Sequence, residues 1–426
     1  MKYSVITFGC RVNQADSLGF EQDLRGEGAV ASAPEEADLV VVNTCSVTAT
    51  ADQGARQTIR RIARSNPSAR IVVTGCYATR RPEELAALPN VHCVVTNDDK
   101  ARLVPVIVRR QNGELSTSER FGEGDGSCGA IVEPGVAGRT AYTLRVQTGC
   151  DEQCSYCIIP TTRGLPRSSA PAVVLAEIER ALRAGFKEIA ITGVHLGSYG
   201  RDLTPRSSLA SLLQMMAHLE SESPRRGEVF RISSLEPMDC SPTIIDLVAR
   251  HGVFAPHFHL PLQHASDAML ARMSRGYTVA DYDALVAGIR DRMPHASIGT
   301  DVIVGFPGET DEDFSRLCSY LGASPLTHVH VFPYSDRPGT AATAMQDKVP
   351  PPVIRARAAR VREVGRRLVT SFWQRQIGAE YRALTLDDGR SAVTGNYLKV
   401  RIPPGHARNE WITVRIDAEG EATLTA

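Results

Sequence analysis

The chain has 426 residues, of which 48 are Lys or Arg and 48 are Asp or Glu, so its net charge is zero. A neutral chain has no global positive field, and any nucleic-acid partner must therefore bind a local patch. The length and a hydrophobic content of 42% are sufficient for two or three domains with their own cores.

The ten cysteines and the N-terminus indicate the compartment. The cysteines fall in short motifs rather than in a disulfide framework, so metal ligation in a reducing setting is the favoured explanation. The opening MKYSVITFGCRVNQ has no apolar core flanked by a cleavage site, and no later run approaches a membrane span. We therefore expect a cytoplasmic protein without membrane association.

Residues 1–110 are expected to form a doubly wound α/β domain. Short β-branched runs alternate with helical patterns, and these runs read YSVITFG, ADLVVVN, ARIVVTG and VHCVVTN. The helical patterns begin near Gln14 and continue over 51–65, RPEELAAL and KARLVPVIVRR. This alternation predicts a parallel sheet with crossover helices.

Three of the predicted strands end at a cysteine, namely Cys10, Cys45 and Cys76, which we name the strand-end triplet. Open α/β sheets bind ligands at the carboxyl ends of their strands, so these residues can converge on one site. A single strand-end cysteine would more simply be a small buried hydrophobe. Three of them predict a thiolate site for an iron–sulfur cluster.

Residues 111–135 read QNGELSTSERFGEGDGSCGAIVEPG and have no apolar periodicity. Their Gly, Ser and Glu content is typical of a linker. Cys128 lies in this segment and is not expected to be a ligand.

The segment GCDEQCSYCIIP contains Cys150, Cys154 and Cys157 in a C-x3-C-x2-C arrangement, which we name the loop triplet, with Tyr156 directly before the third thiol. Three thiolates without a fourth can hold three irons of a [4Fe–4S] cube and leave one iron open, whereas a structural zinc site uses four ligands. Scattered buried cysteines or half a zinc knuckle are alternatives, but a triplet within eight residues disfavours scatter. The pattern predicts a reactive cluster.

Residues 136–352 contain a second series of strands and helices. The strands read TLRVQTG, EIAITGVHLG, EVFRISSLEP, HFHLPLQH, SIGTDVIVGFPG and HVHVFPYS. Six parallel strands predict a partial (β/α)6 barrel, open rather than closed, with its function at the carboxyl ends of the strands. The loop triplet follows the first of these strands.

Two histidine pairs suggest a rival metal site. His257 with His259, and His328 with His330, are i,i+2 pairs on predicted strands, so each pair faces one way and could bind zinc. We disfavour this interpretation, because the carboxylates expected beside such histidines are not evident in the motifs. Three further cysteines lack triplet spacing and are expected to be buried or incidental: Cys93, Cys240 and Cys318.

The C-terminal part combines an Arg-rich helix, 353–376, with a small barrel, 377–426. Against one acid, Glu363, the helix carries seven arginines: Arg355, Arg357, Arg360, Arg362, Arg366, Arg367 and Arg375. Four strand-like stretches separated by turns predict an antiparallel barrel. The barrel has six basic and seven acidic side chains, so the helix is the favoured phosphate contact, although Trp411 or Tyr397 could stack a base.

Long motifs in a fixed order cover nearly the whole chain: GCRVNQADS, NTCSVT, GCYA, GCDEQCSYCIIPTTRG, TGVHLGSYGRD, ISSLEP, HLPLQHASDAMLARMSRGYT, DVIVGFPGET and YSDRPGTAA. Together they resemble the radical S-adenosylmethionine (SAM) methylthiotransferases. GCRVNQ and TGVHLGSYGRD resemble the branch that acts on threonylcarbamoyl-adenosine next to the tRNA anticodon. The isopentenyl-adenosine branch shows GCQMN and LGQNVN there, and the ribosomal-protein branch shows GCPKN.

The resemblance implies an N-terminal cluster domain, a radical SAM core and a TRAM-like RNA-binding barrel. It implies two [4Fe–4S] clusters and SAM as cofactors, tRNA as substrate, and an electron donor such as a flavodoxin or ferredoxin. The loop triplet would generate the radical, and the strand-end triplet would leave one iron free for the sulfur that is transferred. The oligomeric state and the sulfur donor are left open.

The resemblance also suggests residues that contact SAM. Tyr156 would flank the adenine, the Thr192–Gly193 backbone would face the amino group, and Ser233 with Glu236 would bind the ribose hydroxyls. Each could instead make a hydrogen bond at the barrel rim. His195 lies in the substrate-discriminating motif. It could take part in that discrimination, or it could only pack beneath a loop.

Two alternatives remain at this point. An enzyme of the same family could act on isopentenyl-adenosine tRNA or on a ribosomal protein. A protein of another class, a non-catalytic iron–sulfur RNA-binding or sensor protein, would use its clusters for structure or redox sensing and would not cleave SAM.

Overall fold

A computed structural model of the chain describes residues 1–109, 133–134, 139–222, 227–386, 389–418 and 420–425. Apart from 133–134, the predicted linker lies outside these residues, as does Cys128. The chain divides into two compact units. The described parts of the first are residues 1–109, Thr143–Glu152 and Cys157–Arg180. The second contains the described residues of Glu133–Tyr142, Gln153–Tyr156 and the residues from Ala181 onwards. This division differs from the predicted border near residue 136.

Five parallel strands form the sheet of the first unit: β1 (Lys2–Thr7), β2 (Val30–Ala31), β3 (Leu39–Thr44), β4 (Arg70–Gly75) and β5 (Val91–Val95). Their order is β2-β1-β3-β4-β5. This is the order of a flavodoxin-like sheet, whose ligands bind where the strand order reverses, between β1 and β3. The four predicted strands are present, and β2 is additional.

The helices of this sheet are α1 (Arg11–Gly26), α2 (Ala49–Ser65), α3 (Cys76–Arg80), α4 (Pro82–Ala86) and α5 (Leu103–Arg109), with a 3-10 turn at Lys100–Arg102. All six side chains of β3 are buried. Since alternate side chains of a strand point to opposite sides, both faces of β3 are covered. Val40 packs in one core with Ile59 of α2, whereas Val41 packs in another with Leu24 of α1. Each fully buried side chain of this kind contributes about 1.5–3 kcal/mol. The predicted doubly wound domain is confirmed.

A short hairpin-like segment completes the first unit. After β6 (Tyr142–Arg145), strand β7 (Gln147–Thr148) pairs antiparallel with β8 (Arg167–Ser168). Helix α6 (Ile159–Arg163) lies between them in sequence, and α7 (Pro171–Arg183) follows.

The strands of the second unit that belong to the predicted partial barrel are β9 (Glu188–Thr192), β10 (Val229–Ile232), β11 (His257–His259), β12 (Ser297–Val304) and β13 (His328–Pro333). Strand β9 pairs with β10, and β12 pairs with both β11 and β13, in each case parallel. With β6, all six predicted strands are present.

The helices of this part are α8 (Leu209–Glu222), α9 (Pro242–Arg250), α10 (Asp267–Arg272), α11 (Val279–Arg292), α12 (Asp311–Ala323) and α13 (Pro351–Gln374), with 3-10 turns at Leu196–Ser198, Pro237–Asp239 and Ala341–Ala344. Helices α11 and α12 begin at capping boxes, in which Thr278 pairs with Asp281 and Thr310 pairs with Asp313. These boxes satisfy the first backbone N–H groups and fix where each helix starts. No helix among the described residues is long and apolar enough to cross a membrane.

The C-terminal strands close into a barrel: β14 (Glu380–Thr385), β15 (Ser391–Thr394), β16 (Lys399–Arg401), β17 (Trp411–Ala418) and β18 (Glu421–Thr425). The prediction of a small antiparallel barrel is confirmed except for one pair, β16 with β18, which is parallel. A closed ring with an odd number of strands cannot alternate direction at every pair, so one parallel pair is required. Phe372 and Trp373 of α13 join the barrel core around Val400 and Val414.

Candidate functional site

The strand-end triplet lies at one edge of the first sheet. Cys10 follows β1 and precedes α1, Cys45 follows β3, and Cys76 begins α3 directly after β4. Because β1, β3 and β4 are neighbours and parallel, their carboxyl ends bring the three thiols together. Cys10 is exposed, whereas Cys45 and Cys76 are buried. The structure therefore unites three cysteines that are far apart in sequence, beside the strand-order reversal at which such sheets bind ligands.

Two glycines allow the close approach of these strand ends. Gly9 has a φ of 92°, and a Cβ there would lie 2.5 Å from the Cβ of Cys45. Gly75 has a φ of 101°, and a Cβ there would lie 2.1 Å from the carbonyl oxygen of Thr44. Neither position accepts a side chain, because both the backbone conformation and the space are restricted to glycine.

The thiols differ in their electrostatic surroundings. Burial raises the pKa of Cys45 to about 12, and the neighbouring Cys10 and Cys76 add to this effect. Cys76 is also buried, but the cationic Arg163 and Lys100 outweigh burial and lower its pKa. The site thus stabilises negative charge more strongly at Cys76 than at Cys45.

These cations belong to a buried charge cluster that we name the Asp16 cluster. Asp16 Oδ2 lies 2.6 Å from Lys100 Nζ and 3.1 Å from Arg163 Nη2, and Oδ1 contacts Arg145. Three cations and one anion leave an excess of positive charge beside the cysteines. Such an excess suits a thiolate-ligated iron–sulfur cluster, which is negatively charged, so the residues present fit this group. Sequence reasoning did not find the cluster, because its members are up to 147 positions apart.

Within the first unit, the backbone before the loop triplet is held by glycine. Gly149 has a φ of 76°, and a Cβ there would lie 1.9 Å from the carbonyl oxygen of Leu165. The N–H of Cys150 donates to the carbonyl oxygen of Gly164 at 3.0 Å. The chain on either side of α6 is thereby fixed where Cys150 begins the triplet.

In the second unit, Arg275 connects the middle thiol to a predicted SAM contact. Its Nη1 donates to Cys154 Sγ at 3.1 Å, its Nη2 pairs with Glu236, and its Nε donates to Tyr277 Oη at 3.2 Å. Burial opposes the charge of Arg275, but Tyr156, Glu236, Tyr277 and Cys154 raise its pKa. The sequence placed Arg275 within a family motif but gave no indication of this role, since Cys154 is 121 positions away.

The other predicted SAM contacts also lie at strand ends of the second unit. Thr192 ends β9 with Gly193 next to it, and Ser233 follows β10. The buried Ser233 Oγ has no hydrogen-bond partner among the described residues, so it remains available to a ligand. Tyr156 packs edge-on against Phe306 at 6.5 Å between ring centroids.

His195 is buried and interacts with a carboxylate. Its Nε2 lies 2.7 Å from Asp239 Oδ2, and Arg201 of the same motif contacts Asp239 Oδ1 at 2.9 Å. A Cβ at Gly197 would lie 2.2 Å from Asp239, so glycine lets the loop pass close to this side chain. The motif TGVHLGSYGRD is therefore a loop fixed around Asp239.

The Arg-rich helix corresponds to α13 with Arg375 directly after it, and one of these seven arginines is not exposed. Arg357 is buried and pairs with Glu309 at 2.7 Å and Asp311 at 2.6 Å. Its burial removes Arg357 from the arginines that could contact phosphate. The remaining six are exposed: Arg355, Arg360, Arg362, Arg366, Arg367 and Arg375.

Two family models match the chain. The model described as Uncharacterized protein family UPF0004 matches residues 2–96, and the Radical SAM superfamily matches residues 144–321. The first match contains the strand-end triplet, and the second contains the loop triplet and the predicted SAM contacts.

Curated relatives match over nearly full length. The chain is 35% identical to the threonylcarbamoyladenosine tRNA methylthiotransferase MtaB of Aquifex aeolicus (strain VF5), over 94% of this chain and 96% of the relative. It is 32% identical to the tRNA-2-methylthio-N(6)-dimethylallyladenosine synthase of Symbiobacterium thermophilum, over 98% and 92%. Among solved structures, the radical S-adenosylmethionine methyltransferase TsrM from Kitasatospora setae, with cobalamin and a [4Fe-4S] cluster bound, superimposes with a TM-score of 0.59 at 16% identity, over 80% of this chain and 77% of that one. This last similarity shows the fold alone.

Proposed function

Because the chain belongs to the radical SAM methylthiotransferase family, we propose that it adds a methylthio group to carbon 2 of threonylcarbamoyl-adenosine next to the anticodon of tRNA. The observation that carries this proposal is the 35% identity to a threonylcarbamoyladenosine tRNA methylthiotransferase over 94% of the chain. In the reaction the C2–H bond of the adenine breaks and a C–S bond replaces it. An aromatic C–H has no useful acidity, so acid–base catalysis is insufficient.

The cofactors are SAM and two [4Fe–4S] clusters, which supply the methyl group, a carbon-centred radical and the site of sulfur transfer. The loop triplet would hold the cluster that binds SAM, and the strand-end triplet would hold the second. Support for the second site comes from three thiols at adjacent strand ends and from the cations of the Asp16 cluster beside Cys76. The protein holds these groups, shields them from water and compensates their charge.

The SAM contacts remain a proposal for five residues. The Thr192–Gly193 backbone would receive the amino group, the free Ser233 Oγ would bind a ribose hydroxyl, and Tyr156 would flank the adenine. Glu236 pairs with Arg275, so binding of the ribose by this carboxylate must compete with, or use, that ion pair. Arg275 would position Cys154 by donating to its sulfur.

The remaining assignments follow from the chemistry. A one-electron reductant is required, for which a flavodoxin or ferredoxin is suitable, and a tRNA substrate is consistent with a cytoplasmic location. We assign 1–110 to a cluster domain, 111–135 to a linker, 136–352 to the radical SAM core, 353–376 to the Arg-rich helix and 377–426 to a TRAM-like barrel.

Mass spectrometry of tRNA nucleosides tests the substrate. A strain that lacks this gene should accumulate threonylcarbamoyl-adenosine and lose its methylthio derivative, and the wild-type gene should restore it. Loss of methylthio-isopentenyl-adenosine instead would assign the chain to the other tRNA branch. An unchanged nucleoside profile would contradict both.

Iron content tests the two sites independently of substrate. The anaerobically reconstituted protein should hold about eight irons per chain, and replacing the whole strand-end triplet by alanine should remove about half of them. Circular dichroism would establish that this variant is folded. A folded variant that retains the full iron content would exclude the second cluster.

A further inference from the structure

Four histidines lie along one side of the sheet formed by β11, β12 and β13. In the parallel register, His259 is opposite Gly299, and Gly299 is opposite His328. The rings of His257 and His328 are stacked with their centroids 6.3 Å apart, and those of His259 and His330 are 5.4 Å apart. A Cβ at Gly299 would lie 2.0 Å from His328 Nε2, so glycine leaves room for the imidazoles. The expectation that each i,i+2 pair faces one way is consistent with these contacts.

A carboxylate lies between two of these histidines. Asp301 of β12 places its Oδ1 2.9 Å from His259 Nε2 and 3.3 Å from His330 Nδ1. We disfavoured a metal site from the sequence because no carboxylate was evident beside the histidines. That reason was wrong, because β12 pairs with both histidine strands and brings Asp301 between them.

The side-chain ligand atoms of His259, Asp301 and His330 converge, although Asp301 Oδ1 forms no hydrogen bond of normal geometry with the two histidines. One ligand atom from each of His259, Asp301 and His330 lies within 4.8 Å of the others. Asp301 Oδ1 is buried and accepts no well-aligned hydrogen bond from the described residues.

The spacing and the donor set are those of a mononuclear metal site. Ligands bound tetrahedrally to one zinc ion at about 2.0–2.1 Å lie roughly 3.3 Å from each other. Two imidazoles with one carboxylate are ligands of catalytic zinc and of non-haem iron, both of which keep a position open. His330 has a side chain that is 61% exposed, compared with 11% for His259, so the group is open on the His330 side.

The position along β12 relates this group to the predicted SAM contacts of the second unit. Alternate residues of a strand share a face, so Asp301 and Ile303 point the same way. Ile303 belongs to the apolar cluster on which Tyr156 packs. The three ligands therefore face the same side of the barrel as Tyr156.

We propose that His259, Asp301 and His330 bind one divalent transition-metal ion, such as Zn²⁺, with an open coordination position toward the barrel interior. This site is separate from the six cluster cysteines and does not depend on the proposed substrate. Binding of an oxygen ligand at the open position would not change the oxidation state of the ion.

Calorimetric titration of the untagged, cluster-loaded protein with Zn²⁺ under anaerobic conditions tests the proposal. Wild type should bind about one Zn²⁺ per chain at this site. His330→Ala and Asp301→Asn should each weaken that binding at least ~10-fold, since even losing a partner of a ligand costs about 10–100-fold. Iron content should be unchanged in both variants.

His328→Ala is the matched control, because His328 is on the same strand and its Nδ1 contacts Thr327 Oγ1 at 3.0 Å rather than Asp301. It should bind Zn²⁺ within about twofold of wild type. His330 is the safest ligand to remove without unfolding, since its side chain is exposed. No saturable Zn²⁺ binding by wild type, or equal affinities of wild type and His330→Ala, would overturn the proposal and leave a triad held by charge alone.

Discussion

Single charged residues determine how the strand-end thiols are held. Asp16 is buried and supplies the negative charge of the Asp16 cluster, where it pairs with Lys100, Arg145 and Arg163. These cations lower its pKa far below the ordinary value of 3.8, although burial alone would raise it. Removing the anion would leave buried cations next to one another, so it is the most sensitive position of the group.

We expect Asp16→Asn to lower the free energy of unfolding by about 3–5 kcal/mol, because one partner of a buried ion cluster is lost. Arg167→Gln is the control, since its pair with Asp98 is exposed and is worth about 1 kcal/mol or less. Denaturant unfolding monitored by circular dichroism measures both. A loss below about 1 kcal/mol for Asp16→Asn would contradict the importance of the cluster.

The stability difference between wild type and Asp16→Asn should depend on pH in a defined way. The pKa of Asp16 is lower in the folded protein, so its stabilisation is complete above the ordinary value of 3.8 and is lost as the pH falls toward the folded value. The stability difference between wild type and Asp16→Asn should therefore be constant from about pH 5 to 7 and shrink below about pH 4. A difference that grows on acidification would have the wrong sign.

Sequence reasoning succeeded for residues with a local pattern and failed for those with a distant partner. Cys10, Cys45 and Cys76 could be placed together because each follows a β-branched run. Arg163 and Arg275 could not be assigned, because their partners lie more than a hundred positions away. Nothing in the alternation of side chains specifies which charge meets which.

Among the helices and strands, length decided what could be predicted. Strands of three or more residues in an alternating βα series were found, including β9, β10, β11, β12 and β13. β2, β7 and β8 have two residues each, which is too short for any periodicity. The parallel pair in the C-terminal barrel follows from the number of strands, and that number was not evident from the sequence.

The turn into the loop triplet should depend on glycine. We expect Gly149→Ala to displace the backbone at Cys150, because its Cβ would lie 1.9 Å from a carbonyl oxygen at a φ of 76°. Reconstituted iron should fall by about half while the strand-end cluster is retained. Iron analysis with the unfolding transition measures this.

Gly19→Ala is the matched control for that change. Gly19 lies within α1 and has no atom within 4 Å of an added Cβ. Alanine is the better helix former by about 1 kcal/mol, so full iron content with equal or higher stability is expected. Full iron in Gly149→Ala would mean that the turn tolerates a side chain.

The charge of the chain as a whole is neutral, so tRNA must meet local positive surfaces. The five exposed arginines of α13, with Arg375 directly after it, form the densest such group that the sequence indicated. The neutral barrel that follows offers stacking rather than charge. Affinity for RNA through such a helix depends on salt, because each phosphate contact releases counterions.

We expect the triple change Arg360→Gln, Arg366→Gln and Arg367→Gln to weaken tRNA binding. The slope of log affinity against log salt should decrease in magnitude by roughly two to three, about 0.9 for each contact. Replacing the exposed Arg250, Arg292 and Arg316 by Gln removes the same charge and should leave the slope nearly unchanged. Equal slopes for the two triple variants would place recognition elsewhere, for example in base stacking by the barrel.

The division of labour between the two cysteine triplets is the central claim, and one paired assay tests it most directly. Cys45→Ala and Cys154→Ala, each anaerobically reconstituted and reduced, are incubated with SAM and tRNA, and 5′-deoxyadenosine and methylthiolated nucleoside are quantified together. In the proposed function, radical generation requires only the loop triplet, whereas sulfur insertion requires both. Cys45→Ala should therefore form 5′-deoxyadenosine without methylthio product, and Cys154→Ala should form neither. Methylthio product from either variant, or 5′-deoxyadenosine from Cys154→Ala at the wild-type level, would contradict the account.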